Sequence, residues 1–113
     1  MATLNRMMII GRVGRVYTKT FTNGDMIINA TVATSKRYKN KDNETVDETQ
    51  WHNLVCYGQA AKYVDEHIKK GDLIYAEGEM AYRKYAGRDG REVNVAEVRV
   101  NIITHISSPD KED

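Results

Sequence analysis

The chain has little of several residue types on which other protein classes depend. Its 113 residues include one cysteine, one proline, one tryptophan and one phenylalanine. A single cysteine excludes an intramolecular disulfide and is typical of a reducing compartment. The three histidines, His52, His67 and His105, are scattered and no second cysteine accompanies them, so the sequence offers no metal-ligand spacing. We therefore expect neither a metal, nor a cofactor, nor a disulfide scaffold.

Long apolar runs and catalytic motifs are missing as well. The first ten residues, MATLNRMMII, hold too short an apolar run for a signal peptide, and no segment approaches the roughly 20 apolar residues of a membrane span. No GxxxxGK[ST] phosphate-binding loop is present. The acidic residues between 42 and 48 fall in a polar segment, which is a poor place for a preorganised metal site. These absences predict a non-enzymatic protein of the cytoplasm with no membrane partner.

The near-neutral net charge of +1 conceals an uneven distribution of charge. Residues 1–41 hold eight basic side chains and one acidic side chain, a net charge of +7. Residues 42–81 hold three basic and nine acidic side chains, a net charge of −6. This distribution favours a positive binding face on an otherwise acidic body. The alternative is that folding mixes the two sets of charges evenly.

Alternation and β-branched residues predict five strands, and one stretch has helical spacing instead. The predicted strands cover about 4–16 (extending as far as 21), 26–36, 49–58, 73–83 and 93–106. In the last of these strands, the predicted core residues are Val95, Val98, Val100 and Ile102. Residues 22–25, TNGD, predict a tight hairpin turn, and the polar residues 37–48 a long flexible hairpin loop. The predicted helix covers 59–70, with Lys69 and Lys70 in its last turn and Gly71 as its stop.

The resulting order, β-β-β-α-β-β, predicts the OB-fold, an all-β, partly open five-stranded Greek-key barrel with one helix. We expect one domain over residues 1–106, followed by a short acidic tail at 107–113. In this fold, oligonucleotides bind the face of strands two and three and the loops that join strands one to two and four to five. The third predicted strand, 49–58, therefore lies on the expected binding face.

Aromatic side chains are placed on this strand and beside basic residues in two hairpins. In TQWHNLVCYG, alternation puts Trp51 and Tyr57 on one strand face, while Leu54 and Cys56 face the core. Tyr38 and Tyr85 stand beside the basic residues of SKRYKNK and YRKYAG. Unpaired bases stack on aromatic rings for roughly 1–3 kcal/mol each, while basic side chains hold the phosphates. The predicted phosphate-binding residues are Lys36, Arg37, Lys39, Arg83 and Lys84.

Each of these features also has a purely structural interpretation. A single aromatic side chain more often packs in a core, and charged hairpin tips are commonly just solvated. We assign the other tyrosines, Tyr17, Tyr63, Tyr75 and Tyr82, to packing or to an interface. GRVG at 11–14 and GRDG at 87–90 match the GxxG of KH domains. Their context in a strand and a turn instead indicates a bulge or close backbone approach and a hairpin turn.

The chain resembles the bacterial-type single-stranded-DNA-binding (SSB) proteins through nearly all of residues 4–106. The matching blocks are NRMMIIGRVG, INATVATS, QWHNLVCYGQAA, IKKGDLIYAEGEM and YRKYAGRDGRE, in that order. The resemblance implies an OB-fold that binds single-stranded DNA with little sequence preference during replication, recombination or repair. It also implies a homotetramer with a nucleoid-associated location.

The resemblance assigns roles to individual residues. The family's stacking positions fall on Tyr38, Trp51, Tyr57 and Tyr85, and its subunit-contact histidine falls on His52. The family typically has tryptophan where this chain has Tyr38 and Tyr85, and phenylalanine where it has Tyr57. Stacking chemistry survives these changes, although a smaller ring covers less of a base and lowers the expected affinity.

The tail departs from the family pattern. Family members usually carry a long flexible tail whose acidic tip, capped by Pro-Phe, recruits replication and repair proteins. This chain ends in SSPDKED, which is short and acidic and lacks a terminal aromatic residue. We expect either a truncated chain or a compact member such as a phage or plasmid protein.

Three alternatives to this function stay open on the sequence. A protein-interaction module on the same fold would use the Trp51 face to dock a partner. A small nuclease would need a catalytic constellation, which we do not find. Single-stranded RNA would suit the same rings, because stacking does not depend on the 2′-OH.

Overall fold

Five long strands and one short helix build the fold in the computed structural model, which describes residues 2–109. The elements are β1 (Met7–Thr20), β2 (Met26–Lys39), β3 (Thr45–Tyr57), α1 (Gly58–His67), β4 (Leu73–Ala86) and β5 (Glu92–Ser107). The strands close into a barrel in the order β1-β2-β3-β5-β4. Only the β3–β5 pair among these is parallel. The predicted OB-fold, with its helix between the third and fourth strands, is confirmed. Of the predicted tail, residues 110–113 lie outside the described residues.

The core fills the barrel and extends under the helix. The buried apolar side chains include Ile9, Val13, Ile28, Val32, Leu54, Ile74, Val98 and Val100 from the strands and Ala61 and Val64 from α1. Cys56 is also fully buried, as predicted, and burial raises the pKa of its thiol to about 12. The thiol is therefore protonated at neutral pH and unreactive. Among residues 2–109, no helix has the length and apolar character needed to cross a membrane.

A bulge in β5 changes which of its side chains point inward. Gly78 pairs with Val100, but the preceding Glu77 pairs with Ile102, which leaves one extra residue on β5. An extra residue reverses the alternation beyond it. Ile103 is consequently buried, whereas Ile102 is 50% exposed. The prediction of Ile102 as a core residue is wrong, while the predictions for the two buried valines, Val98 and Val100, are confirmed.

The β2–β3 hairpin is longer than predicted. The predicted loop at 37–48 is wrong, because paired strands continue until only residues 40–44 remain as the turn. Cross-strand ion pairs offset the low strand propensity of this polar stretch, and the strongest joins Arg37 Nε to Asp47 Oδ1 at 2.7 Å. In the turn, the side-chain oxygen of Asn40 accepts two backbone hydrogen bonds of 2.9 Å.

The helix is shorter than predicted. It ends at His67, because the chain turns to extended geometry at Ile68, whose N–H donates to the carbonyl of Val64 at 3.0 Å. Gly71 then adopts a left-handed φ of 93° and donates its N–H to the carbonyl of Val13. The two lysines predicted for the last helical turn therefore lie in the connection to β4, where they approach β1.

Candidate nucleic-acid interface

The register of β2 and β3 sets which of their side chains face away from the core. Paired residues lie on one side of a sheet, so the buried pair Ala30 and Leu54 marks the inner side. The outer side carries Asn29 and Thr31 from β2 and Trp51, Asn53 and Tyr57 from β3; we call these five residues the β2–β3 outer face. Trp51 and Tyr57 are 60% and 48% exposed. Six residues of strand separate them, which is about 20 Å.

The indole of Trp51 leans across β2 and rests on β1. A Cβ atom at Gly14 would lie 2.5 Å from Cζ3 of the indole and 2.7 Å from Oγ1 of Thr31. That hydroxyl accepts a hydrogen bond of 2.9 Å from the N–H of Arg15, next to an irregularity in the register of β1. The predicted bulge or close approach in GRVG is thus confirmed. Glycine leaves room for a large ring that is supported on one edge and open to solvent elsewhere.

A cleft of about 510 Å³ joins the β2–β3 outer face to the β4–β5 hairpin. Its lining includes Tyr17, Asn29, Thr31, Asn53, Arg83, Tyr85 and Glu97. Tyr85, 46% exposed, thus borders the same cleft as Asn53. Tyr17 was predicted to pack or to form an interface, but it is 59% exposed and borders this cleft, so it is not a packing residue.

The structure does not bring Tyr38 to the same face. Tyr38 lies an even number of residues from Ile28 and Val32 on β2, so it is on the inner side by alternation. It is nevertheless 45% exposed, because β2 pairs with β1 only as far as Ala33 and the hairpin continues beyond the barrel. Trp51 and Tyr57 share a face, Tyr85 borders its cleft, and Tyr38 occupies the opposite side of the hairpin.

Most of the predicted phosphate-binding side chains are already paired with carboxylates. The pairs are Lys36–Glu48 at 3.7 Å, Arg37–Asp47 at 2.7 Å, Arg83–Glu97 at 3.0 Å and Lys84–Glu92 at 3.8 Å. Within residues 2–109, Lys39 alone of the five has no carboxylate within 4 Å. In the β2–β3 and β4–β5 hairpins, folding therefore mixes basic and acidic side chains, as the alternative to a positive binding face supposes. Exposed pairs contribute only about 0–1 kcal/mol, so a phosphate can compete for their basic members.

The Arg83–Glu97 pair differs from the other three. The side chain of Glu97 is 5% exposed, and its Oε1 accepts a hydrogen bond of 3.0 Å from Nε of Arg83. The side chain of Arg83 is half exposed, but its loss would leave the buried carboxylate of Glu97 without its partner, which costs more than the loss of an exposed pair. The guanidinium also lies 5.7 Å from the centroid of the Tyr85 ring. Arg83 is therefore held in place beside Tyr85 rather than free to follow a phosphate.

Two basic residues that the sequence did not single out flank Trp51. Gly14, Arg15, Thr31, Trp51 and Lys70 line a second cleft of about 440 Å³. Neither Arg15 nor Lys70 has a carboxylate within 4 Å in the part of the chain that the structure describes. No local signal identifies them, because Lys70 reaches Trp51 only through the turn after α1.

His52 lies on the inner side of β3, as alternation predicts. It is half-buried opposite Val32, and its Nε2 lies 2.8 Å from Oγ1 of Thr34. This hydrogen bond accounts for one ring nitrogen, and the role of His52 in a subunit contact stays a prediction. Among residues 2–109, no group of three His, Cys, Asp or Glu side chains is arranged to hold a metal ion.

The opposite wall of the barrel has a different character. Outward-facing Met8, Ile10, Tyr75, Glu77 and Ile102 form what we call the β1–β4–β5 outer face. Met8, Ile10 and Ile102 are 62%, 58% and 50% exposed. Tyr75 donates its O–H to Glu77 at 2.7 Å, and this hydrogen bond is the main cause that raises the pKa of Tyr75. In one row Glu77, which also pairs with Arg6 at 3.7 Å, stands between Met8 and Ile102, and in the next row Ile10 stands beside Tyr75.

Comparison with known proteins places this barrel among relatives. The model of the single-strand binding protein family matches residues 4–106. Two curated proteins named single-stranded DNA-binding protein, from Neisseria meningitidis serogroup A strain Z2491 and serogroup B strain MC58, are each 36% identical over 100 residues. That alignment covers 88% of this chain and 58% of each relative, so the chain spans little more than half their length. A solved Plasmodium falciparum SSB complex with ssDNA has a TM-score of 0.85 at 25% identity, over 95% of this chain and 98% of that chain.

Proposed function

The chain belongs to the single-strand binding protein family, and on that premise we propose that it binds single-stranded DNA with little sequence preference. Binding combines stacking of bases on exposed rings with contacts to phosphates, and no catalysis is involved. The protein would protect exposed strands during replication, recombination or repair. The observation that carries the proposal is the open indole of Trp51, seated on Gly14 and flanked by two basic side chains without carboxylate partners in the described chain.

The stacking part of the proposal rests on exposed rings around one surface. When a base stacks on a solvent-exposed ring, the apolar faces of both leave water, which stabilises the complex. Every base has such a face. Trp51 and Tyr57 are about 20 Å apart along β3, so they serve different nucleotides of one strand. Tyr85 borders the cleft that joins the β2–β3 outer face to the β4–β5 hairpin. Tyr38, on the other side of the β2–β3 hairpin, contacts DNA only if the strand passes around that hairpin.

The electrostatic part divides the basic residues into two groups. Arg15, Lys70 and Lys39 offer charge that no described carboxylate offsets, so phosphates gain most there. Lys36, Arg37 and Lys84 contribute after exchanging an exposed carboxylate for a phosphate. Arg83 stays with Glu97 and supports the site by fixing the wall of the cleft. The net effect is fewer phosphate contacts than the count of basic residues suggests.

We further propose a homotetramer, in which the β1–β4–β5 outer face buries itself against a second copy. Met8 stands in one row with Ile102, and Ile10 stands in the next row beside Tyr75. Three exposed aliphatic side chains on adjacent rows of a sheet are a favourable surface to remove from water. The same surface on two copies is self-complementary about a two-fold axis. His52 is proposed as a further subunit contact.

The remaining partners and the location follow from the same function. We propose that replication or repair proteins act on the DNA that this protein covers, and that the protein resides in the cytoplasm with the nucleoid. No membrane partner is proposed. An oligonucleotide titration separates this function from a protein-interaction module, which would bind poorly at physiological salt.

Fluorescence of Trp51, the single tryptophan, tests the proposed function directly. Titration with oligo-dT is expected to quench its emission to a plateau, and log affinity to fall with log salt by about 0.7 per phosphate neutralised. Anisotropy of a labelled oligonucleotide provides an independent reading of the same affinity. Unchanged anisotropy at low salt would overturn the proposal, whereas binding without quenching would only remove Trp51 from the site. Parallel titrations with oligo-U and with labelled strands plus Mg²⁺ test the RNA and nuclease alternatives.

A further inference from the structure

Between its two exposed rings, the accessible side chains of the β2–β3 outer face are polar rather than aromatic, while Val55, on the same side by alternation, is buried. Thr31 and Asn53 are cross-strand partners next to Trp51, and Asn29 is the next outward residue of β2 toward Tyr57. A DNA strand that stacks on both rings must place at least one nucleotide above this middle section, because the rings are about 20 Å apart. That nucleotide meets hydrogen-bonding side chains on the floor of the cleft.

The two carboxamides in this section have no structural task. Within residues 2–109, neither Asn29 nor Asn53 makes a side-chain hydrogen bond, whereas Asn5, Asn23 and Asn40 each stabilise a turn or a terminus. Asn94 and Asn101 on β5 are likewise exposed strand residues, and neither makes a side-chain hydrogen bond in the described chain; what distinguishes Asn29 and Asn53 is their diagonal placement in one cleft. Both are exposed, and both line the 510 Å³ cleft.

The rest of the cleft suits a flat, polar-edged group. Tyr17 stands directly across from Asn29 in the β1–β2 register, and Tyr85 lines the cleft from the β4–β5 hairpin. Nε of Arg83 is bonded to the buried carboxylate of Glu97, which offsets the positive charge of Arg83 in the cleft. Rings at its sides and free amides on its floor match a nucleobase, which has apolar faces and a hydrogen-bonding edge.

We propose that Asn29 and Asn53 form a base-edge subsite, which hydrogen-bonds the Watson–Crick edge of an unpaired base lying between the Trp51 and Tyr57 stacking positions. The subsite rests on the proposed function and deepens it. A carboxamide carries a donor and an acceptor side by side and exchanges them by a half-turn of its terminal torsion. Every base edge also places a donor near an acceptor, so the same two side chains serve any base. The subsite adds affinity without imposing a sequence.

Blocking the base edge while retaining the ring tests this subsite. Oligo-dT is compared with an oligonucleotide of N3-methylthymidine, whose N3–H donor is replaced by a methyl group. The wild-type chain is expected to bind oligo-dT about 3- to 10-fold more tightly, the size of one neutral hydrogen bond. The variant with Asn29→Ala and Asn53→Ala is expected to bind both ligands alike. Asn94→Ala, an exposed strand position outside this cleft, serves as the matched control and is expected to keep the wild-type preference.

Each outcome has one meaning. Equal wild-type affinity for the two ligands overturns the subsite even if the double variant does not fold. A preference that persists in the folded double variant also overturns it. Failure of the wild-type chain to bind either oligonucleotide overturns the proposed function itself, and is distinguishable because the subsite predicts a difference between ligands rather than binding as such.

Discussion

The two outer faces of the barrel share one architecture and differ in chemistry. The β2–β3 outer face carries two exposed rings separated by amides and a hydroxyl, with unpaired basic side chains at its rim. The β1–β4–β5 outer face carries exposed aliphatic side chains and one tyrosine that is hydrogen-bonded to its neighbour. Rings with hydrogen-bonding neighbours suit a ligand that is flat and charged, whereas aliphatic rows suit another protein surface. The difference indicates that one barrel can separate DNA binding from assembly by assigning them to opposite walls.

The largest expected effect of a substitution is on assembly. A chain with Met8→Glu and Ile10→Glu would place charges inside a buried apolar contact, and we expect the tetramer to separate at that contact into smaller assemblies. Light scattering measures the mass, and Lys62→Glu on the exposed side of α1 provides a control for added negative charge. Because the β2–β3 outer face is untouched, the smaller assemblies should still bind oligo-dT. An unchanged mass would mean that the aliphatic face is not the interface.

The next largest effect is expected on the DNA-binding wall. Trp51→Ala should weaken binding of oligo-dT by about 1–3 kcal/mol, or roughly 5- to 150-fold, without changing the oligomer. Tyr82→Ala is the matched control, since Tyr82 is 75% exposed but lies on the other side of the β4–β5 hairpin from Tyr85. Anisotropy titration gives both affinities. Equal losses in the two variants would indicate a diffuse aromatic surface rather than a defined wall.

The salt dependence of binding separates unpaired from paired basic residues. Arg15→Ala and Lys70→Ala should each lower the slope of log affinity against log salt by about 0.7, because each removes one phosphate contact. Arg37→Ala should change the slope less, since Arg37 must first leave Asp47. Titrations at four salt concentrations give the slopes. A larger change in slope for Arg37→Ala than for Lys70→Ala would mean that the main phosphate contacts lie on the β2–β3 hairpin.

The smallest expected effect concerns the support beneath the tryptophan. Gly14→Ala brings a methyl group against the indole and should displace it, with a several-fold loss of affinity and a shift in the emission of the free protein. In a chain that already carries Trp51→Ala, the same substitution should cost less, because only the close contact with Oγ1 of Thr31 remains; a double-mutant cycle measures the difference. An equal loss in both backgrounds would show that Gly14 acts through β1 rather than through the ring.

The sequence predicted the barrel because strand order and core alternation are local properties. Its errors arose where tertiary contacts override local signals. Residues 37–48 look like a loop, yet most of them continue the pairing of β2 with β3, with cross-strand pairs of opposite charge beside it. One extra residue in β5 exposes Ile102 and buries Ile103, and no local pattern identifies such a bulge. The chemical difference between the two outer faces could not be predicted either, because it depends on which strands are neighbours in the barrel.

The candidate site shows the same division between local and tertiary information. Alternation correctly placed Trp51 and Tyr57 together, because both lie on one uninterrupted strand. The same rule, applied along β2 from Ile28, would have placed Tyr38 on the other side. Arg15 and Lys70 come together only through the close approach of β1 to the turn after α1. Their role could not be predicted from the sequence alone.

Photocrosslinking tests the central claim, which is that DNA binds the β2–β3 outer face and not the β1–β4–β5 outer face. Oligo-dT that carries 5-iodouracil is irradiated on the protein, and the crosslinked peptides are mapped by mass spectrometry. We expect crosslinks at Trp51, Tyr57 and Tyr85, with Tyr75 on the β1–β4–β5 outer face unmodified. Crosslinks concentrated at Tyr75, with Trp51 spared, would contradict the account.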